Sequence, residues 1–218
     1  MKTNSTYVPV STMVYGGDFD DSVKDGHAVE LWAQNHYGPE ATRKGYKIVD
    51  VSNEPKRGYQ DKIDHVYLKY DGTEHTVDVK CDRRSDGKSF YGKPPTGNII
   101  YERKTHTKSG EERDGCSEKT EAEYVLFVLG IPDYVENSLT ITKCVWIPVK
   151  RWREYTYDPK HPERRIEHWK KETNPVSEND RICDYHHKLE DLIKEGVVVK
   201  VNTKMAGEKI YFPKKKDK

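Results

Sequence analysis

The chain has 218 residues, of which 33% are hydrophobic and 34% charged, with a formal charge of +1. That length suffices for one domain with a real core, and the 15 Tyr and 4 Trp offset the shortage of aliphatic side chains. The near-zero charge excludes a uniformly polyanion-binding composition, four dispersed cysteines without a CxxC pair exclude a disulfide framework or a zinc module, and no apolar run reaches membrane-spanning length.

Residues 1–17 are polar and end in Gly16-Gly17, the pattern of a loosely held arm. Asp20 or Asp21 caps a predicted helix running to about His36, which Gly38-Pro39 should stop. Val23, His27, Glu30 and Leu31 fall on one side of it. Glu30 is then either an acid at the margin of the buried stripe or an ordinary surface glutamate. Tyr46 to Val51 predicts a short strand and residues 52–62, with Pro55 and Gly58, a loop.

Next comes a β-hairpin: His65 to Tyr70, the turn Asp71-Gly72, then Thr76 to Cys81. Alternation puts Val77, Val79 and Cys81 on one face and Asp78, Lys80 and Asp82 on the other. Asp64 opens the first strand, so the hairpin brings a second carboxylate toward Asp78 and Lys80. Two acids beside a lysine suit a hard divalent cation. The same pattern also describes the solvated face of an amphipathic sheet.

Residues 83–97 form a glycine- and proline-containing loop with Arg83, Arg84, Lys88 and Lys93, either a grip on a nucleic-acid backbone or a plain connection. Asn98 to Arg103 predicts a strand and residues 104–117 a polar loop. Thr120 to Leu129 reads as a helix entering a strand or as a buried strand, and Leu139 to Val149 as a strand. Lys150, Arg151 and Arg153 then begin a stretch of bases interleaved with Trp152, Tyr155, Tyr157 and Trp169. That is what a nucleic-acid surface uses, and also what a surface helix with snorkelling side chains looks like. Residues 143–171 hold nine Lys/Arg against four acids, whereas residues 1–40 hold two against six. Such a division fits a metal site beside a phosphate-binding surface, or internal charge complementarity. Residues 172–180 read as a linker, Arg181 to Lys194 as a helix, Val197–Val201 with Glu208–Phe212 as a terminal hairpin, and 213–218 as a tail. Cys183, His186 and His187 lie within about one helical turn, which cannot alone complete a tetrahedral metal site.

In this order the elements resemble the PD-(D/E)xK nuclease superfamily. Its signature is an acid at the start of one strand, then (D/E)-x-K on the next, often with a glutamate from the first helix. Asp64, the triplet Asp78-Val79-Lys80, and Glu30 stand at those places. Phage and bacterial members are a closer resemblance, through Lys80-Cys81-Asp82, then Thr96-Gly97-Asn98-Ile99-Ile100-Tyr101-Glu102, then Thr120-Glu121-Ala122-Glu123-Tyr124. Two departures are Ile63, where the family commonly has Pro before the first acid, and Asp78, where Glu is commoner and reaches one methylene further.

The resemblance implies an α/β (α+β) fold with a restriction-endonuclease-like core over residues 18–150, a mixed β-sheet flanked by helices, followed by a C-terminal extension over 151–212. It implies a Mg²⁺-dependent nuclease, with Mn²⁺ as a substitute, acting on phosphodiester bonds of nucleic acid, DNA expected over RNA. Asp64, Asp78, the Val79 carbonyl and Glu30 would surround the metal, and Lys80 would serve the attacking water or the transition state. Arg83, Arg84, Lys88, Lys93, Lys150, Arg151 and Arg153 would meet the nucleic acid. A cytoplasmic, membrane-free protein, as monomer or homodimer, is expected. The alternative from another class is a non-catalytic nucleic-acid-binding or DNA-processing accessory protein on the same fold. A second acid-x-Lys, Glu102-Arg103-Lys104, competes for the triplet role, with Asp78 as its first acid, across a longer Gly/Pro loop.

Overall fold

The computed structural model describes residues 21–82, 98–133, 136, 138–171 and 179–212. The expected arm, the basic loop 83–97 with Arg83, Arg84, Lys88 and Lys93, and the tail lie outside them.

The chain is a mixed α/β fold built on a curled mixed sheet with helices on its faces. Helix α1 spans Asp21–Arg43 and is followed by strands β1 (Tyr46–Asp50), β2 (His65–Lys69) and β3 (Glu74–Asp82). β1, β2 and β3 form an antiparallel meander. Strand β6 (Tyr124–Asp133) then pairs parallel to β3, and β7 (Ser138–Pro148) antiparallel to β6. β10 (Lys200–Asn202) and β11 (Lys209–Tyr211) both pair with β7, at Cys144–Trp146 and Ser138–Thr140 respectively. Each finds β7 instead of the other, so the predicted terminal hairpin is two separate edge pairings.

A second, antiparallel sheet has the order β5-β4-β9-β8, from β4 (Asn98–Thr107), β5 (Glu112–Asp114), β8 (His168–Lys171) and β9 (Asn179–Lys188). The short helices α3 (Val149–Thr156) and α4 (Leu189–Lys194) pack with both sheets, and α2 (Cys116–Lys119) lies beside β4. The last predicted helix is therefore mostly strand. Cys183, Tyr185 and His187 alternate into the core, and this period of two outweighs the helix-like flanks. Residues 151–212 are woven into both sheets and are not an appendage.

Alternation assigns the two sides of the main sheet. Val77, Val79, Leu126, Val128 and Ile141 meet Ala28, Val29, Trp32, Ala33 and Tyr37 of α1. On the opposite side Val125, Phe127, Leu129, Val145 and Ile147 meet Ile99, Tyr101 and Tyr185 of the second sheet, Trp152 of α3 and Leu192 of α4. The buried stripe of α1 thus runs through Ala28, Val29, Trp32 and Ala33, with His27, Glu30 and Leu31 along its border. The helix also passes Pro39 instead of stopping. Proline in a helix interior costs about 3 kcal/mol, and burial of Tyr37 and Ala41 on either side holds the final turn against the sheet. Gly45, at φ 78°, ends it. Among the described residues no helix is long and apolar enough to cross a membrane.

Candidate active site

The register of β2 and β3 sets His65 against Val77, and one step further Asp64 faces Asp78. Residues opposite one another on antiparallel strands share a face. From Asp78 onward β3 has β6 on one side only, because β2 begins at His65. Asp64 occupies that open edge. Its N–H donates to the Val77 carbonyl at 3.0 Å, and its carbonyl accepts from Val51 N–H at 2.9 Å. Its Oδ2 accepts from the Val79 N–H at 2.7 Å. A strand residue directs its N–H and C=O to the same edge, so the Val79 carbonyl also points to the Asp64 side.

Asp78 and Lys80 lie in register with Val125 and Phe127, on the side away from α1. Asp78 is 1% exposed, and Lys80 Nζ stands 2.7 Å from its Oδ1. Neither Asp78 oxygen has an aligned hydrogen-bond donor among the described residues. A buried carboxylate is ordinarily satisfied; here Lys80 covers Oδ1, and Oδ2 has no protein donor among the described residues. Burial, then the charges of Asp78 and Glu30, push the Asp64 carboxyl well above the usual carboxylate range, against Lys80 and the Val79 N–H. Burial works against the Lys80 charge, but Asp78, Cys116 and Asp64 outweigh it and hold the ammonium above its ordinary value. Asp64 and Asp78 thus repel each other, and Lys80 offsets that repulsion.

Glu30 stands at the margin. Its Oε2 is 3.1 Å from His27 Nδ1, and this contact raises the His27 pKa. Its charge reaches Asp64, but among the described residues no three His, Cys, Asp or Glu side chains converge as a metal-binding group. The structure brings Asp64, Asp78, Val79 and Lys80 together and leaves Glu30 hydrogen-bonded to its neighbour. Two carboxylates and a carbonyl are still a donor set suited to Mg²⁺, which keeps several waters and needs only one or two carboxylates from protein.

The competing triplet is broken by a register shift. β4 pairs Glu102 with Asp184 but Lys104 with Cys183, leaving Arg103 as the extra residue of a bulge. Lys104 pairs with Glu112 at 3.1 Å. Glu102 instead accepts from Cys116 N–H at 3.0 Å. The Cys116 thiol is raised by burial and then by Glu102, and lowered by Lys80 and Lys62, so all three charges act at one place. Cys116 was invisible in the sequence: no spacing links it to Lys80.

Of the basic residues, Arg153 is structural. Its Nη2 donates to the carbonyls of Ser117, Glu118 and Thr120 at 3.4, 2.7 and 2.7 Å. Trp152 is core, and its Nε1 donates to His187 Nδ1 at 3.0 Å. The other ring nitrogen of His187 lies 3.1 Å from the Arg164 carbonyl, and burial lowers its pKa to about 4. Lys150 is exposed, and Arg151 Nη1 donates to the Gly196 carbonyl at 3.2 Å. A cavity of about 270 Å³ opens on the α1 side, among Tyr37, Tyr46, Tyr67, Tyr124 and Trp146, away from Asp78 and Lys80.

Comparison with known protein families, with curated proteins and with solved structures finds no match to this chain.

Proposed function

We propose that the chain is a metal-dependent nuclease that hydrolyses phosphodiester bonds in nucleic acid, with DNA the expected substrate and Mg²⁺ the expected cofactor. The observation that carries this reading is Asp64 opposite Asp78 at the open edge of β3, with Lys80 Nζ 2.7 Å from one oxygen of the buried Asp78 carboxylate. The element order around the pair, α1, an antiparallel meander, then β6 parallel to β3, supports the resemblance drawn from the sequence.

Asp64, Asp78 and the Val79 carbonyl would hold the cation, whose chemistry when bound is to lower the pKa of a water and stabilise charge on the phosphoryl oxygens. Asp78 anchors Lys80 so that its ammonium stays charged. Lys80, a third exposed, is placed to orient a water or to offset charge developing on phosphorus. Val79 N–H fixes the Asp64 carboxylate and leaves its other oxygen for the cation. Glu30 adds negative field to the site.

The test is incubation of purified protein with labelled linear, branched and circular DNA and RNA, in Mg²⁺, Mn²⁺ or Ca²⁺, beside Asp78→Asn. Cleavage that requires Mg²⁺ or Mn²⁺ and vanishes in the variant supports the reading. Binding without cleavage in every metal would instead favour the accessory-protein alternative.

A further inference from the structure

We propose that the aromatic cavity on the α1 side of the main sheet binds a purine mononucleotide, at a site separate from the Asp64–Asp78–Lys80 centre and independent of the nuclease reading. The cavity measures about 270 Å³. A void of about 150 Å³ takes up benzene, and drug-sized ligands need roughly 300–1,000 Å³, so this one fits a single fused ring. Trp146 meets Tyr37, Tyr67 and Tyr124 at centroid distances of 5.3, 6.2 and 6.4 Å and interplanar angles of 82°, 78° and 73°. The walls thus carry rings in two nearly perpendicular orientations. A flat guest stacks on one set and meets the other edge-on, the two arrangements that aromatic pairs prefer. Tyr46, Tyr67, Tyr124 and Trp146 each stay partly exposed around this one opening. Tyr67 Oη, in the wall, is buried without a hydrogen-bond partner among the described residues. Burial, then the charge of Glu40, raises its pKa and keeps it a donor. The ring nitrogens of a purine are acceptors of the kind it lacks.

The charges at the mouth select among flat guests. Aromatic cages also take organic cations. Here Lys44 and Lys200 line the cavity beside Glu40. The Glu40 carboxylate stands 2.7 Å from Lys44 Nζ, and its pKa is lowered by that bond and then by the Lys200 charge. One carboxylate therefore faces two ammoniums. A third, Lys69 Nζ, already lies over the Tyr46 ring at 4.9 Å, and His75 is paired with Glu123 at 2.6 Å. A cationic guest is repelled by this rim, whereas a phosphate balances it. A fused ring carrying a phosphate meets both the walls and the mouth. Val77 lines the cavity, while Asp78, the next residue of β3, faces the other side of the sheet. The sheet separates the cavity from any strand held at Asp78, so the guest is a free nucleotide and not a base of that strand.

The test is calorimetric titration of the full-length protein, in EDTA to exclude metal-bridged binding, with AMP, adenosine and choline. AMP should bind, adenosine more weakly, and choline not at all. Lys44→Ala combined with Lys200→Ala, both at exposed positions, should weaken AMP about ten- to hundredfold and leave adenosine unchanged, as expected for lost charged contacts. Tyr46→Ala should weaken both ligands about ten- to hundredfold, as for a lost stacking platform. Tyr46→Phe keeps the ring and should bind like the wild type, which separates stacking from a general loss of fold. A short single-stranded DNA should not compete with AMP. No binding of AMP at millimolar concentration overturns the proposal, as does choline binding in its place. Competition by the DNA would assign the cavity to nucleic acid and overturn the free nucleotide. AMP affinity that the lysine and Tyr46 substitutions leave unchanged would place the nucleotide elsewhere and overturn it equally.

Discussion

The Val79 N–H donates to Asp64 Oδ2 at 2.7 Å, so the first acid is held by the backbone of the triplet it serves. This bond turns a gap in the β ladder into an oriented carboxylate. Asp64→Asn keeps an oxygen for that N–H and removes the charge. It should abolish cleavage while the protein stays folded, and so should Asp78→Asn. Activity retained in either, measured on the preferred DNA, would move the chemistry elsewhere.

The same substitution predicts a pH effect in metal-free protein. The folded pKa of Asp64 is raised, so the folded state binds more protons than the unfolded chain between the ordinary aspartate value and the raised one. Stability is then intact below that window and falls as pH rises through it. Melting temperatures in EDTA, wild type minus Asp64→Asn, should decline across the window. Added Mg²⁺, by binding the native state, should raise the wild-type value most at the alkaline end. A difference that stays level with pH would show that the Asp64 charge is not under strain.

Lys80→Met removes the counter-charge of a buried carboxylate. The cost should be about 2 kcal/mol, below the 3–5 typical of a fully buried pair because Lys80 is a third exposed. Calorimetry should find Mg²⁺ binding largely preserved while turnover collapses. Loss of metal binding would contradict the separation of roles.

The basic stretch should divide by function. Arg153→Ala removes hydrogen bonds to three carbonyls. It should lower stability by about 2–4 kcal/mol, a melting shift of roughly 5–15 °C at this chain length. Lys150→Ala with Arg151→Ala should leave the melt nearly unchanged and flatten the salt dependence of DNA binding. An unaltered slope would leave that part of α3 as a solvated face.

Gly58 tests the support beneath the site. A Cβ there would lie 1.9 Å from the Ser52 carbonyl oxygen, 2.4 Å from its carbonyl carbon and 2.7 Å from the Val51 carbonyl oxygen, all of them backbone. Gly58→Ala should cost at least about 3 kcal/mol or prevent folding, read by denaturant titration. A wild-type midpoint would mean the π-helical turn can shift without disturbing Asp64.

The hairpin and its polar face were legible because period-two alternation and an Asp-Gly turn are local signals. Even there the connection is longer than two residues: Leu68 pairs with Glu74, and Gly72 takes the positive φ. What escaped was non-local. Nothing near Glu102 announces that its strand leaves the main sheet for a second one, or that an extra residue at Arg103 turns Lys104 away. Pro39 reads as a stop until Tyr37 and Ala41 are seen buried. Arg153 looks like a phosphate ligand until three carbonyls from another segment surround it.

The pairing of β7 with both β10 and β11 bears on how the chain is made. β7 is complete by Pro148, yet the strands that cover its outer edge end at Tyr211, and β4 waits for β9, which ends at Lys188. A nascent chain stalled after the meander and β7 would carry Leu139, Ile141 and Val145 on an uncapped ladder, an invitation to pair with another chain. Closure of the outer edge of β7 therefore waits for Lys200–Tyr211. A truncation at residue 150 should aggregate instead of yielding a smaller folded protein.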